Sequence, residues 1–424
     1  MFAVSGGWLV AVLCGAEVLT MVGFSAWAVL LAPLRDLWSL SNSGAGTIGG
    51  MFFAGYTLAV PFLVSMTDRV GSRRVWLIGA SLIVIGTGGF ALFAHGLATA
   101  AVFQAVAGAG LAGTYMPGLR LLSDHLQRQA QSRAVALYTA SFGIGTSVSY
   151  LAADQLARAF GWRMAFLVPA CTTALAIALV LLTVRAAAPG ERVNPLRGIG
   201  AVLRHRNAIA YSCAYFAHSW EVYTVRSWVI AFLSFIAVRH GRMPGWPSPA
   251  HIAFGMSVLG IFSILIGNES AIRFGRKRTV VALMCASASV GAAVGIVQGL
   301  YPGGQQGSWL PAAYPMVAVL VLLYGPLMTS ESAVVTAGAL GNAIPGYRGT
   351  TLAVHSMLGF AGGVVGPIVF GATLDLAGGA GREIAWTAAY IVLAALTLLG
   401  PLAIAILRPR ELPGDRRGQL IERR

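Results

Sequence analysis

Charge is scarce in this chain. Of 424 residues, 10% are Asp, Glu, Lys or Arg, while 57% are hydrophobic, and mean hydropathy is +0.75. A soluble domain carries about 25% charged residues. So few charges cannot cover a soluble surface, so the chain reads as a polytopic membrane protein. Acidic residues are rarer still, 14 against 29 basic, a net charge of +15. That balance does not indicate nucleic acid, because the cations sit in short connectors between apolar runs and form no folded basic face. Lysine is almost absent, with Lys277 the single one. The four cysteines, Cys14, Cys171, Cys213 and Cys285, lie inside apolar runs. They fit neither a metal spacing nor a disulfide framework and read as small free hydrophobes. No basic stretch precedes the first apolar run, which continues into a full span, so no cleavable signal peptide is expected. Phosphate-binding glycine loops, metal clusters and nucleophile–base sets are also missing. No cofactor, no metal and no enzyme activity are expected.

What is present is length. A membrane span needs about 20 mostly apolar residues. Twelve are read, over 7–32, 45–66, 75–96, 98–121, 134–156, 164–185, 208–237, 250–267, 279–299, 312–338, 350–373 and 384–407. They must be helical, because backbone groups in lipid have to be satisfied within the segment. Placing the N-terminus in the cytoplasm puts 22 basic residues on that side and six on the other, with Arg226 left inside span 7. This asymmetry predicts both termini in the cytoplasm of an inner, plasma membrane.

The connector Arg185–Arg206 divides six spans from six, and the halves repeat. Glu17-Val18-Leu19-Thr20 matches Glu221-Val222-Tyr223-Thr224 at an offset of 204. Arg69-Val70-Gly71-Ser72-Arg73 matches Arg273-Phe274-Gly275-Arg276-Lys277 at the same offset. Tyr115-Met116-Pro117 matches Tyr324-Gly325-Pro326 at 209, and Arg133 matches Arg348 at 215. A rising offset is what a duplication with longer loops in its second copy produces. The expected organisation is an N-terminal six-helix bundle over 1–185, a cytoplasmic loop over 186–207, a C-terminal six-helix bundle over 208–407 and a polar, basic, unstructured tail over 408–424. That tail reads as a membrane-surface segment at most.

With these features the chain resembles the major facilitator superfamily of secondary transporters. Asp68-Arg69-Val70-Gly71-Ser72-Arg73-Arg74, between spans 2 and 3, resembles the family's signature loop. Arg273, Gly275, Arg276 and Lys277 resemble its repeat. Gly161-Trp162-Arg163 and Gly362-Gly363-Val364-Val365-Gly366-Pro367 also fit. The resemblance implies an all-α membrane fold of twelve helices in two bundles related by a pseudo-two-fold axis, with spans 1, 4, 7 and 10 lining a central cavity. There are departures. Val64 stands at the first glycine of the signature, Ser72 at an arginine and Ile272 at the second acidic position. Gln104 stands where a span-4 cation is common, and Gly143-Ile144-Gly145-Thr146 lacks the proline of drug antiporters. In physical terms the loop is a tight turn with cations beside helix ends and lipid phosphates, and Asp68 can pair with those cations; the loop reads as a charge clasp made in one conformation and broken in another, or as a positive-inside anchor.

Ionisable residues at bilayer depth are costly and mark candidate sites. Glu17 and Glu221 fall at matching depths in spans 1 and 7. On the family fold they would face a shared cavity, where a carboxyl that meets water in one state and not in another exchanges protons. Against this stands a static, hydrogen-bonded acid between helices. His218, three residues before Glu221, is a candidate relay, and a satisfied interhelical histidine is the alternative; His355 is a weaker case. Arg226 lies about 140° around and ~7.5 Å along the helix from Glu221. It keeps its proton and needs an anion, either a protein carboxylate or the substrate. Tyr115 and Tyr324, near helix-bending prolines, are expected to line the cavity and touch substrate. Arg120 and Glu331 are expected to approach as a cytoplasmic gate pair, with separate local pairs as the alternative. The glycines of spans 4, 5 and 11 read as close-packing seams. Trp27, Trp220 and Trp228 read as cavity, belt or packing residues, and Asp154 and Asp375 as structural.

The sequence therefore predicts a monomeric alternating-access secondary transporter in the lipid bilayer. Its expected cargo is a small polar or anionic organic molecule, and its expected coupling ion is the proton. Efflux of lipophilic or cationic compounds and a non-transporting membrane sensor are the alternatives.

Overall fold

The computed structural model describes residues 6–126, 128–185, 198–240, 245–299, 313–412 and 415. Among them are sixteen helices and no strand. The first seven are α1 (Gly6–Met21), α2 (Ala26–Leu37), α3 (Asn42–Val70), α4 (Ser72–Phe93), α5 (Leu97–Asp124), α6 (Arg128–Phe160) and α7 (Met164–Thr183). Then come α8 (Ile199–Arg204), α9 (Arg206–His240), α10 (Pro249–Phe274), α11 (Arg276–Gly299), α12 (Ala313–Ser330) and α13 (Ser332–Gly341). The last are α14 (Arg348–Leu376), α15 (Glu383–Thr397) and α16 (Leu399–Leu407).

Three expected spans are interrupted helices. The first, Gly7–Leu37, breaks between α1 and α2; Ala313–Gly341 breaks at Glu331, and Glu383–Leu407 breaks at Leu398. Eleven stretches among the described residues are long and apolar enough to cross a bilayer. The remaining expected span, 134–156, lies in α6, which is 33 residues long. Its hydroxyls make it less apolar, yet Ser141, Thr146 and Ser147 donate to carbonyls one turn back. Satisfied that way, they are tolerated at membrane depth. The architecture is thus the expected twelve-span, two-bundle one.

The helices group into two compact units, Met1–Leu34 with Met51–Pro195, and Arg35–Gly50 with Leu196–Arg424. Residues 35–50 join the second unit because α3 begins against α14. A side chain at Gly46 would strike the Pro367 carbonyl, and Asn42 and Ser43 donate to the Asp375 carboxylate at 2.8–3.0 Å. Within the first unit α3 and α5 meet backbone to backbone, Gly55 on the Ala105 carbonyl and Gly108 on the Phe52 carbonyl. Within the second, Gly362 of α14 lies on the Phe216 carbonyl of α9. The small-residue seams are therefore helix contacts, as expected.

The two signature loops are one-residue turns. Gly71 joins α3 to α4 at φ 88°, and Gly275 joins α10 to α11 at φ 94°. Only glycine takes that backbone without strain, which explains why the repeat keeps it.

Two stretches differ from the sequence expectation. Part of the connector read over 186–207 is helical: α8 turns on the buried Val202, and Arg206 and Asn207 already belong to α9. Arg192 and Arg197 lie outside the described residues. The tail was expected to be unstructured, but its described part, 408–412 and 415, is docked on the second unit. The Arg276 guanidinium donates to both oxygens of Asp415 at 2.9 and 3.1 Å and to the Val334 carbonyl at 3.0 Å. Its backbone N–H donates to Glu411 at 3.1 Å. Asn207 accepts from the Arg410 N–H, Asn342 donates to the Arg410 carbonyl, and Leu412 packs on Gly341. The pattern of charges in the tail hid the two acids that anchor it.

Candidate functional site

The second unit holds a continuous polar cluster in its interior. Glu221, midway along α9, is fully buried. Its carboxylate accepts from Tyr324 of α12 at 2.8 Å and from Ser287 of α11 at 3.0 Å. Glu331, at the break between α12 and α13, is also fully buried and lies 3.2 Å from His218 Nδ1. Its second oxygen has no hydrogen bond among the described residues. The Glu221 and Glu331 carboxylates act on each other electrostatically. His218, Tyr215 and His355 have nearly parallel rings, with Tyr215 5.6 Å from His218 and 4.3 Å from His355. His355 is bonded to Ser212 of α9 and Thr336 of α13, both at 3.3 Å. Arg226, half-buried on the same helix, acts electrostatically on His218.

Glu17 of α1 is equally buried but has a different setting. Tyr138 of α6 donates to it at 2.6 Å. Tyr115 of α5 stacks on Tyr138 with ring centroids 6.2 Å apart and packs at a tilt against Phe142 at 4.9 Å.

These positions bear on several expectations. Glu17 and Glu221, read as facing a cavity, are each fully buried, with a tyrosine donor and, for Glu221, a serine donor from their own unit. Tyr324 was expected as a substrate contact, yet it is fully buried and its hydroxyl is spent on Glu221. Half-buried Tyr115 remains accessible. Asp68, which could have paired with the cations of its own loop, is paired with Arg120 of α5, and Thr67 accepts from the same guanidinium at 2.7 Å. Of the two residues of the proposed gate, Arg120 is paired with Asp68 and Glu331 lies against His218. Tyr138, Tyr215 and Ser287 escaped the sequence reading. Each is an ordinary residue of an apolar run, and only packing shows that it faces a carboxylate or an imidazole.

The remaining signature residues anchor helix ends. Arg69 and Arg74 are exposed, Arg73 caps the Leu181 carbonyl at 2.9 Å, and Ser72 donates to Asp124 at 2.6 Å. In the second copy Arg273 pairs with Glu269, Arg276 holds the tail and Lys277 is half-buried. Trp27, Trp220 and Trp228 are buried packing residues, the last two donating to backbone carbonyls.

The Major Facilitator Superfamily family model matches residues 13–325. The chain belongs to the Major Facilitator Superfamily. It is similar to protein spinster homolog 3 of Homo sapiens, 24% identical over 376 residues, which cover 82% of this chain and 71% of that protein. It is also similar to the gentisate transporter of Corynebacterium glutamicum, 28% identical over 173 residues. That match covers 40% of this chain and only 39% of that protein. Among solved structures, the bacterial homolog to the human lysosomal transporter Spinster, inward-facing and occupied, superposes with a TM-score of 0.70 at 16% identity. It covers 95% of this chain and 96% of that one. At that identity the likeness concerns the fold. This superfamily member is a multi-pass membrane transporter and not an enzyme.

Proposed function

We propose that this transporter is proton-coupled and carries a small organic anion. The observation that supports this best is the α9 cluster. Two fully buried carboxylates, Glu221 and Glu331, share one interior with His218, and the half-buried guanidinium of Arg226 stands five residues beyond Glu221. A carboxyl that is sealed in one state and reached by water in another binds its proton with different strength in the two. A ligand shifts a conformational equilibrium only through such a difference, and in this reading these buried groups supply it. Arg226 keeps its charge at any working pH, and its planar fork matches a carboxylate. Gentisate, the named cargo of one relative, is a ring carboxylate of the proposed class. Tyr115 is the aromatic contact in this reading. The 22-to-6 distribution of basic residues supports cytoplasmic termini in an inner membrane, and a monomer suffices for the transport unit.

The test is uptake of labelled gentisate into proteoliposomes under an imposed pH gradient. Inward proton-driven accumulation that a protonophore abolishes is expected, and Arg226→Gln should lower it at least tenfold. Uptake indifferent to the gradient refutes proton coupling. Extrusion of a lipophilic cation such as tetraphenylphosphonium, with no gentisate movement, refutes the anion.

A further inference from the structure

The two buried carboxylate sites differ in what surrounds them. Glu17 is bonded to Tyr138 of α6; Cys14 on its own helix and Tyr115 of α5 also feel its charge. Among the described residues no histidine and no second carboxylate is bonded to Glu17 or to Tyr138, and Glu17 Oε1 has no hydrogen bond. Beside Glu17 the described titratable groups are phenols and a thiol, Tyr138, Tyr115 and Cys14, with no imidazole or second carboxylate to take a proton onward near neutral pH.

Glu221 stands at the end of a row. Ser212, Tyr215, His218 and Glu221 follow one another at intervals of three along α9, and residues three apart are neighbours on a helix surface. The row spans roughly 13.5 Å of helix. The packed elements contribute its other members. These are Ser287 from α11, Tyr324 from α12, Glu331 at the α12–α13 break, Thr336 from α13 and His355 from α14. Arg226 acts on the row from the same helix, and Tyr390 of α15 acts on Tyr324. The row ends at Thr336, which is half-exposed, on the Arg206 side of α9.

We propose that the coupling proton travels only through the second unit, from Thr336 and His355 to His218 and onto the Glu331–Glu221 pair, and that Glu17 takes no part in its transfer. The inference rests on the proton-coupled reading above. In the inward step His218 gives its Nδ1 proton to Glu331 Oε1, so an N–H bond breaks as an O–H bond forms and the imidazole becomes neutral. His355 then resupplies His218 through a bridging water beside the Tyr215 ring that both imidazoles stack on. Two like charges in one buried interior repel, so Glu331 and Glu221 act as one shared proton site. His355 is a positioning and relay residue in this scheme; it does not touch the cargo.

Infrared difference spectroscopy of the full-length protein in lipid, stepped between pH 5 and pH 9, reads carboxyl protonation without a substrate. A titrating carboxyl band is expected that shifts or vanishes in Glu331→Gln and in Glu221→Gln and persists unchanged in Glu17→Gln. Should a Gln variant not fold, Glu331→Asp is the second variant, and it should move the band rather than leave it in place. His355→Asn should keep the band and slow its exchange in D2O at least tenfold. A mere loosening of packing would quicken exchange instead. A titrating band lost in Glu17→Gln and kept in both second-unit variants overturns the inference and leaves proton coupling standing. Absence of any titrating carboxyl band in the wild-type protein overturns both.

Discussion

Arg276→Ala should release the docked C-terminal segment. The guanidinium makes two bonds to Asp415 and one to the Val334 carbonyl, and both charged side chains are almost fully buried, 6% and 4% exposed. Breaking a trapped buried pair costs about 3–5 kcal/mol because the remaining charge is stranded. Here the stranded group is on a chain end. Once undocked, Asp415 rehydrates, so the loss approaches that of the strongest charged hydrogen bonds, about 3 kcal/mol. At about 1.4 kcal/mol per factor of ten, docking should weaken roughly a hundredfold. The other anchors, Asn207, Asn342 and Leu412, remain. Tryptic cleavage after Arg410, followed by mass spectrometry at low protease, tracks the undocked fraction when docking is fast. It should accelerate by that factor in Arg276→Ala and comparably in Asp415→Asn. Exposed Arg278 serves as control, and Arg278→Ala should change nothing. Equal cleavage rates in Arg276→Ala and wild type, or equal acceleration in the Arg278 control, would refute the latch.

Gly108→Ala should destabilise the first unit by about 1–3 kcal/mol, since its methyl strikes the Phe52 carbonyl and forces α5 off α3. Gly15→Ala meets nothing within 4 Å and should be neutral or stabilising by up to about 1 kcal/mol; denaturant melts of the two variants in one detergent check the contrast. Tyr138→Phe removes the one hydrogen bond that the described residues donate to the Glu17 carboxylate, whereas Tyr324→Phe leaves Glu221 its Ser287 bond. An unsatisfied buried acceptor costs about 1–3 kcal/mol, so Tyr138→Phe should be the more destabilising of the two, and the reverse order would contradict the bonding described.

The positions of the glycines explain what could be read from the sequence and what could not. Gly71 and Gly275 were legible because a positive φ leaves a residue-type signature, and because the 204-residue offset repeats it. The spans were legible because lipid demands long apolar helices. The partners of the carboxylates were not legible. Symmetry pointed from Tyr324 to Tyr115, but Glu17 is met by Tyr138. The reason is a space on a different helix from the carboxylate: a side chain at Gly118 would strike the Tyr138 hydroxyl, just as one at Gly291 would strike that of Tyr324. Each glycine makes room for a phenol to reach inward. That signal exists in the sequence, but it is read only once the neighbouring helix is known.

Charge followed the same logic at the helix ends. The first copy of the loop keeps its acid at Asp68 and uses it on Arg120, while the second has Ile272 there and an arginine, Arg276, where the first has Ser72. Ser72 finds its acid in Asp124 of α5, and Arg276 finds Asp415 at a separation of 139 residues. The backbone of the duplicated unit was retained, with its one-residue turn and its helix order. The pairs of charges were redistributed, and in the second unit the chain end supplies an acid that the loop lost. A duplication constrains the skeleton through packing and φ, because both are expensive to change. An ion pair is constrained only by where an opposite charge is within reach. The interior follows suit: Glu17 and Glu221 hold equivalent places in the repeat, but among the described residues only the second has gathered a histidine and a second carboxylate around it.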